Sequence, residues 1–158
     1  MKPLFPVRQT PGLCGPATLK ILLQHHDKEY TEDELVKLCK VTPNTATSHD
    51  RIVDGAKAVG GIVETKTHAK IDDLRHYIEE DIPVMVGWQD LPAGKHGKGG
   101  DHYGVVYEVG KRKIFMMDPE TESGIRILPI EDFEAAWHDN HAGERTDGWM
   151  MAVTNFKG

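Results

Sequence analysis

The apolar residues of this chain change their spacing part-way along it, and no other feature restricts the fold as strongly. Before about residue 80 most of them recur every three or four positions; beyond it they fall in short runs bounded by glycine and polar turns. The first spacing belongs to helices and the second to strands. A first helix is expected to start near Cys14, with Pro16 in the opening turn, where its missing N–H has no partner to lose. Its continuation, A-T-L-K-I-L-L-Q, is apolar on most sides, which predicts a central, buried helix. A second starts at Thr31, in a capping box with Glu34, and carries Leu35, Val36, Leu38 and Cys39 on its apolar face. A third spans 48–59 and stops at Gly60-Gly61, and a fourth spans 71–80. Strands are expected at 62–67, 82–88, 102–109, 113–118, 125–130 and 149–156. The third and fourth of these read as a hairpin turning through Gly110-Lys111-Arg112. A short helix at 131–138 holds Phe133 and Trp137 four apart. Helices first and a mostly antiparallel sheet after them make an α+β domain.

The length, 158 residues, fits one domain over 1–158. A domain of this size hides roughly 70% of its unfolded surface and needs no disulfide framework. Nineteen basic against 25 acidic residues give a net charge of −6, a poor balance for gripping a phosphate backbone, so no nucleic-acid partner is expected. The longest unbroken apolar run, Trp149 to Val153, is five residues, so no membrane insertion is expected. The first residues contain no apolar stretch of signal-peptide length. A cytoplasmic chain with reduced thiols at Cys14 and Cys39 is the expectation. Composition leaves the oligomeric state open.

The sharpest chemical pattern is Q-T-P-G-L-C-G-P-A, Gln9 to Ala17. A cysteine at the start of a buried helix lies at the positive end of the helix dipole, which favours thiolate over thiol. Gly15 leaves the sulfur unobstructed. The Cys14 N–H would point at an oxyanion forming beside its own sulfur, and the Gln9 amide could supply a second donor. A lone cysteine also packs as a small buried hydrophobe, and the segment alone does not choose between the two. A second segment, D-H-Y-G-V-V-Y-E-V, sets His102 where the glycine-rich stretch L-P-A-G-K-H-G-K-G-G-D meets a strand. A third, I-F-M-M-D-P, ends at Asp118 and Pro119. If the two strands form the hairpin, Asp118 comes near the level of His102. It could then accept from one ring nitrogen and aim the other at Cys14.

Together, Q…C-G-P-A, G-D-H-Y-G-V-V-Y, I-F-M-M-D-P-E and E-D-F-E-A-A-W resemble the papain-like cysteine peptidases that process double-glycine leader peptides of bacteriocins, and their free-standing relatives. The strand I-P-V-M-V-G-W ahead of the histidine matches as well, and the resemblance runs from about Gln9 to Trp137. It implies a papain-like fold with a central catalytic helix packed on the sheet, an acyl-enzyme mechanism on a peptide or protein substrate, and no cofactor. It implies Cys14 as nucleophile, His102 as base and acid, Asp118 as orienting residue and Gln9 as oxyanion-hole donor. The same triad serves transferases, deamidases and isopeptidases, and a peptide-binding domain could keep the fold without the chemistry. Residues near the triad do not encode the acceptor or the leaving group.

Trp88 and Gln89 end the strand expected beside His102. With Gly100 and Asp101, at the end of the glycine-rich stretch, they are candidates to line a substrate cleft, and the stretch is a candidate lid. Cys39 reads as core. Nine histidines invite a metal reading, with His138 and His141 spaced i, i+3. No cysteine or carboxylate spacing completes a zinc motif, so no metal is expected.

Overall fold

A computed structural model of the chain describes residues 4, 14–41, 47–89, 101–119, 121, 123–141 and 143–157. Three helices come first: α1 (Cys14–His25), α2 (Glu32–Leu38) and α3 (His49–Ala58). Then follow β1 (Gly61–Lys66), α4 (Ile71–Glu79), β2 (Val84–Gln89), β3 (Asp101–Val109), β4 (Lys113–Met117) and β5 (Ile125–Pro129). The chain ends with α5 (Ile130–Ala136), β6 (His138–His141), β7 (Glu144–Asp147) and β8 (Met150–Phe156). Six strands form one antiparallel sheet in the order β1-β8-β2-β3-β4-β5, and β6 and β7 form a separate ribbon. This is the expected α+β architecture.

Local chemistry explains the helix ends. The Thr31 hydroxyl accepts from the Glu34 N–H at 3.1 Å, and the Glu34 carboxylate accepts from the Thr31 N–H at 3.4 Å, completing the capping box. Ser48 caps α3 by accepting from the Arg51 N–H at 3.4 Å. Gly60, at φ +90°, turns the chain out of α3, a backbone region that glycine enters without strain. At the end of α4 the Ile82 N–H reaches back to the Tyr77 carbonyl at 2.9 Å, and Pro83, with no N–H for a ladder, delays β2 until Val84.

α1 is buried on nearly every side, as its sequence predicts. The sheet carries apolar side chains on both faces. Met85, Tyr103, Val105, Trp149 and Met151 pack with Leu19, Leu22 and Leu23 of α1. On the other face Val84, Val86, Trp88, Val106, Ile114 and Met116 pack with Leu74 and Phe133. β2 is therefore covered on both faces, which is why its apolar run is continuous rather than alternating.

One expectation needs correction. The helix expected at 131–138 ends at Ala136. Trp137 leaves helical geometry at ψ 67°, and its indole N–H donates to the Trp149 carbonyl at 3.0 Å, while the Gly148 N–H donates to the Trp137 carbonyl at 2.9 Å. The chain then enters β6, whose sequence H-D-N-H has no strand pattern and is held by its ladder with β7. None of the described helices is long and apolar enough to cross a membrane.

Candidate active site

Cys14 is the first residue of α1 and is half-buried. Close packing sets its position. A Cβ on Gly15 would come within 2.8 Å of the Thr47 Cβ and 2.9 Å of the Ile52 Cδ1, so the start of α1 presses against the start of α3. One turn further on, the Thr18 hydroxyl donates to the Tyr103 carbonyl at 3.4 Å, which ties α1 to β3 beside His102.

His102 is the second residue of β3, opposite Trp88 of β2, and is 5% exposed. Asp118 is fully buried and stands just past β4. Val105 pairs with Met117, so Asp118 comes level with Gly104, two residues from His102 in the neighbouring strand. The corner is braced by the Asp118 N–H donating to Gly124 at 2.9 Å and by the Thr121 hydroxyl donating to the Asp118 carbonyl at 3.1 Å. His102 Nε2 lies 2.5 Å from Asp118 Oδ1. A carboxylate only accepts, so the ring donates from Nε2. Nδ1 is then the ring atom left for Cys14, which also hydrogen-bonds the imidazole. Burial works against a charged ring. The hydrogen bonds and charges of Asp118 and Cys14 outweigh it and push His102 up to about 10.

The Asp118 carboxylate has a second cationic partner. Arg126, 4% exposed, donates from Nε to Asp118 Oδ2 at 2.8 Å, with Nη2 2.7 Å from the same oxygen. Its guanidinium lies 5.2 Å from the centre of the Trp88 ring, and that ring lies 6.1 Å from the imidazole.

Of the other sequence candidates, Trp88 is fully buried and forms the floor beneath His102 and Arg126. Gln89 is 9% exposed and donates to the Asp101 carboxylate and, at 3.3 Å, to the His138 carbonyl. Asp101 is exposed and also accepts from the Asn140 N–H at 2.9 Å, so this pair binds the start of β3 to β6. Gln9, Gly100 and the candidate lid at 91–100 lie outside the described residues. Cys39 packs against Gly55 in the core, and burial, with the Asp54 carboxylate nearby, pushes its thiol up to about 11. Among the described residues no group of three or more His, Cys, Asp or Glu side chains converges as a metal cage.

The model of the Peptidase C39 family matches residues 8–142, most of the chain. The chain belongs to the Peptidase C39 family. Solved structures share its fold. The peptidase domain of Streptococcus ComA, a bifunctional ABC transporter involved in quorum sensing, superposes with a TM-score of 0.72 at 22% identity, over 96% of this chain and 98% of that one. A protein described as a C39-like peptidase from Bacillus anthracis gives 0.71 at 15% identity, over 98% and 96%. A double-glycine motif protease from an AMS/PCAT transporter, solved with the leader peptide, gives 0.67 at 16%, over 96% and 93%. No curated protein matches the chain in sequence. Membership of C39 makes the chain one of a family of peptidases, with a papain-like fold.

Two features of this C39 chain escaped the sequence reading. One is Arg126. The other is a second imidazole–carboxylate pair, in which His49 Nε2 lies 2.6 Å from Asp139 Oδ2. That imidazole stacks on Trp149 at 4.3 Å and 10°, and Asp139 is 1% exposed. The pair clamps β6 against the start of α3, since Gly87 leaves room for the Asp139 carboxylate that any side chain would fill. Only an isolated buried acid in H-D-N-H could have signalled it.

Proposed function

We propose that this C39 member is a thiol peptidase that cleaves a peptide bond through Cys14, His102 and Asp118, in one catalytic domain over 1–158. The observation that carries the reading is the His102 ring, which meets Cys14 on one side and Asp118 on the other. The Cys14 sulfur attacks the substrate carbonyl carbon, and the carbonyl electrons move to oxygen. The oxyanion is met by the Cys14 N–H and the Gln9 amide; one such donor is typically worth about 10²–10³ in rate. As the C–N bond breaks, His102 passes its proton to the leaving amine, and a thioester remains on Cys14. Water then attacks the thioester, His102 takes its proton, and the C–S bond breaks to release the acid and restore the thiol–imidazole pair. Asp118 keeps the ring in the tautomer this cycle needs.

A relative solved with a leader peptide supports a peptide as the substrate class. A reducing cytoplasm, in which both thiols remain available, is the compartment this chemistry suits. Screening a peptide library with the wild-type chain and Cys14→Ala tests the reading. Cleavage products should form with the wild type only, and equal turnover in Cys14→Ala would overturn the scheme.

A further inference from the structure

We propose that Arg126 is a positioning residue that balances charge in this site: by holding Asp118 as a carboxylate and drawing on its charge, it lets His102 give up its proton. The inference rests on the reading of Cys14, His102 and Asp118 given above.

The geometry divides the carboxylate between two cations. Oδ1 faces His102 Nε2, and Oδ2 accepts from the Arg126 Nε at 2.8 Å with Nη2 2.7 Å away. All three groups are 5% exposed or less. The guanidinium lies over the Trp88 ring, which fixes the plane of its fork. Arginine does not deprotonate, so this positive charge is permanent.

The charges then sum as follows. Once the Cys14 proton has passed to His102, the cluster holds a thiolate, an imidazolium, a carboxylate and a guanidinium, which is neutral in total. In the acyl-enzyme the thiolate has become a thioester and the imidazolium has given its proton to the amine, and the total is again zero. Without Arg126 both stages would carry one buried negative charge. In the second stage Asp118 would stand against a neutral ring with no counter-ion, a state that burial makes costly. His102 would therefore keep its proton more tightly and be a poorer acid toward the leaving amine. The strand pattern agrees with a purpose for this side chain. Ile125 and Ile127 are 46% and 51% exposed so that Arg126 between them can face inward, the reverse of the usual burial pattern.

The test uses Cys14→Ala, which removes the sulfur beside the ring and brings the His102 titration into an accessible range, and follows the His102 ring by NMR against pH. Like charges about 7 Å apart across one carboxylate, at an effective dielectric of about 20, repel enough to predict a shift of roughly one to two pH units. Arg126→Gln keeps an N–H donor for Asp118 but drops the charge, and its His102 midpoint should rise by that amount. Arg126→Lys keeps the charge, and its midpoint should stay within about half a pH unit of the parent. An unchanged or lowered midpoint in Arg126→Gln would overturn the proposal. If Arg126→Gln does not fold, the Arg126 Nε–H resonance of the parent decides: it should titrate with the His102 midpoint, and a flat response would refute the coupling. In the active chain, Arg126→Gln should move the alkaline limb of the kcat profile upward. The NMR readings need no turnover, so a chain that cleaves no peptide would sink the peptidase reading without touching this one.

Discussion

Asp118→Asn is the most informative single change in the site, because Asp118 spends its two oxygens on different partners. Oδ1 takes the His102 Nε2–H, and Oδ2 takes Arg126. Asparagine has one oxygen and one NH₂. Arg126 can only donate, so the asparagine oxygen turns to Arg126 and its NH₂ faces His102 Nε2. The ring must then offer a lone pair at Nε2 and keep its proton on Nδ1, the atom that in the proposed cycle receives the proton of Cys14. A comparable tautomer reversal in a serine-protease triad costs about 10⁴ in kcat. We expect a loss of about 10³–10⁴ here, smaller than that of His102→Ala. Stability falls as well. Arg126 is left buried without its counter-ion, a loss of about 3–5 kcal/mol. For a domain of this size that lowers the melting midpoint by roughly 6–20 °C. The assay is a pair of measurements, steady-state kinetics and thermal melting, on Asp118→Asn and on Asp118→Asn/Arg126→Met. The double variant removes the unpaired cation and frees the asparagine oxygen to turn back to His102. It should melt higher than the single variant and recover part of its kcat. Wild-type kcat and melting in Asp118→Asn would refute this reasoning, as would a double variant worse than the single one on both measures.

Iodoacetamide at pH 8 should label one cysteine per native chain, and none in Cys14→Ala until denaturant exposes Cys39, whose thiol is buried and held up to about 11. Mass spectrometry of the labelled chain reads this out directly. Gly15→Ala should destabilise the chain by about 1–3 kcal/mol of overpacking, less the tenths that alanine gains in a helix, because the new Cβ meets Thr47 and Ile52 inside 3 Å. Urea unfolding measures it, and a neutral result would mean that α1 and α3 separate freely. The charged His102 sets the alkaline behaviour. Its folded value, about 10, lies above the ordinary 6.5, so its contribution to stability is complete below about 6.5 and is lost as pH rises through about 10. Melting midpoints recorded from pH 6 to 11 should show that decline, and His102→Ala should flatten it.

Most of the fold was legible because most of its signals are local. Thr31 and Glu34 cap α2 through atoms three residues apart, and Gly60 ends α3 by its own backbone freedom. The apolar surround of α1 and the continuous run of β2 both report burial on all sides, and burial is what the structure has there. The β6–β7 ribbon was illegible for the opposite reason. Nothing in H-D-N-H favours a strand. Asp139 is held by His49, ninety residues earlier, and Trp137 leaves its helix for a carbonyl on Trp149.

The site divides along the same line. Cys14, His102 and Asp118 stood out as candidates because each stands at an element boundary that the sequence marks: a helix start, a strand start beside a glycine-rich stretch, and a strand end before proline. Arg126 did not, because alternation argues against it. In I-R-I-L the usual assignment buries both isoleucines and sends the arginine to solvent, and a one-residue change of register reverses every side chain. The structure takes the reversed register, with Arg126 inward on Asp118 and both isoleucines outward. Leaving Ile125 and Ile127 half-exposed forgoes on the order of 1 kcal/mol of burial each. A buried carboxylate without its cation costs more, about 3–5 kcal/mol. The ion pair at Asp118 therefore sets the register of β5 against the hydrophobic pattern. Hence a strand whose alternation runs backwards beside a buried acid is a sign, visible only once the fold is known, that the acid needs its cation.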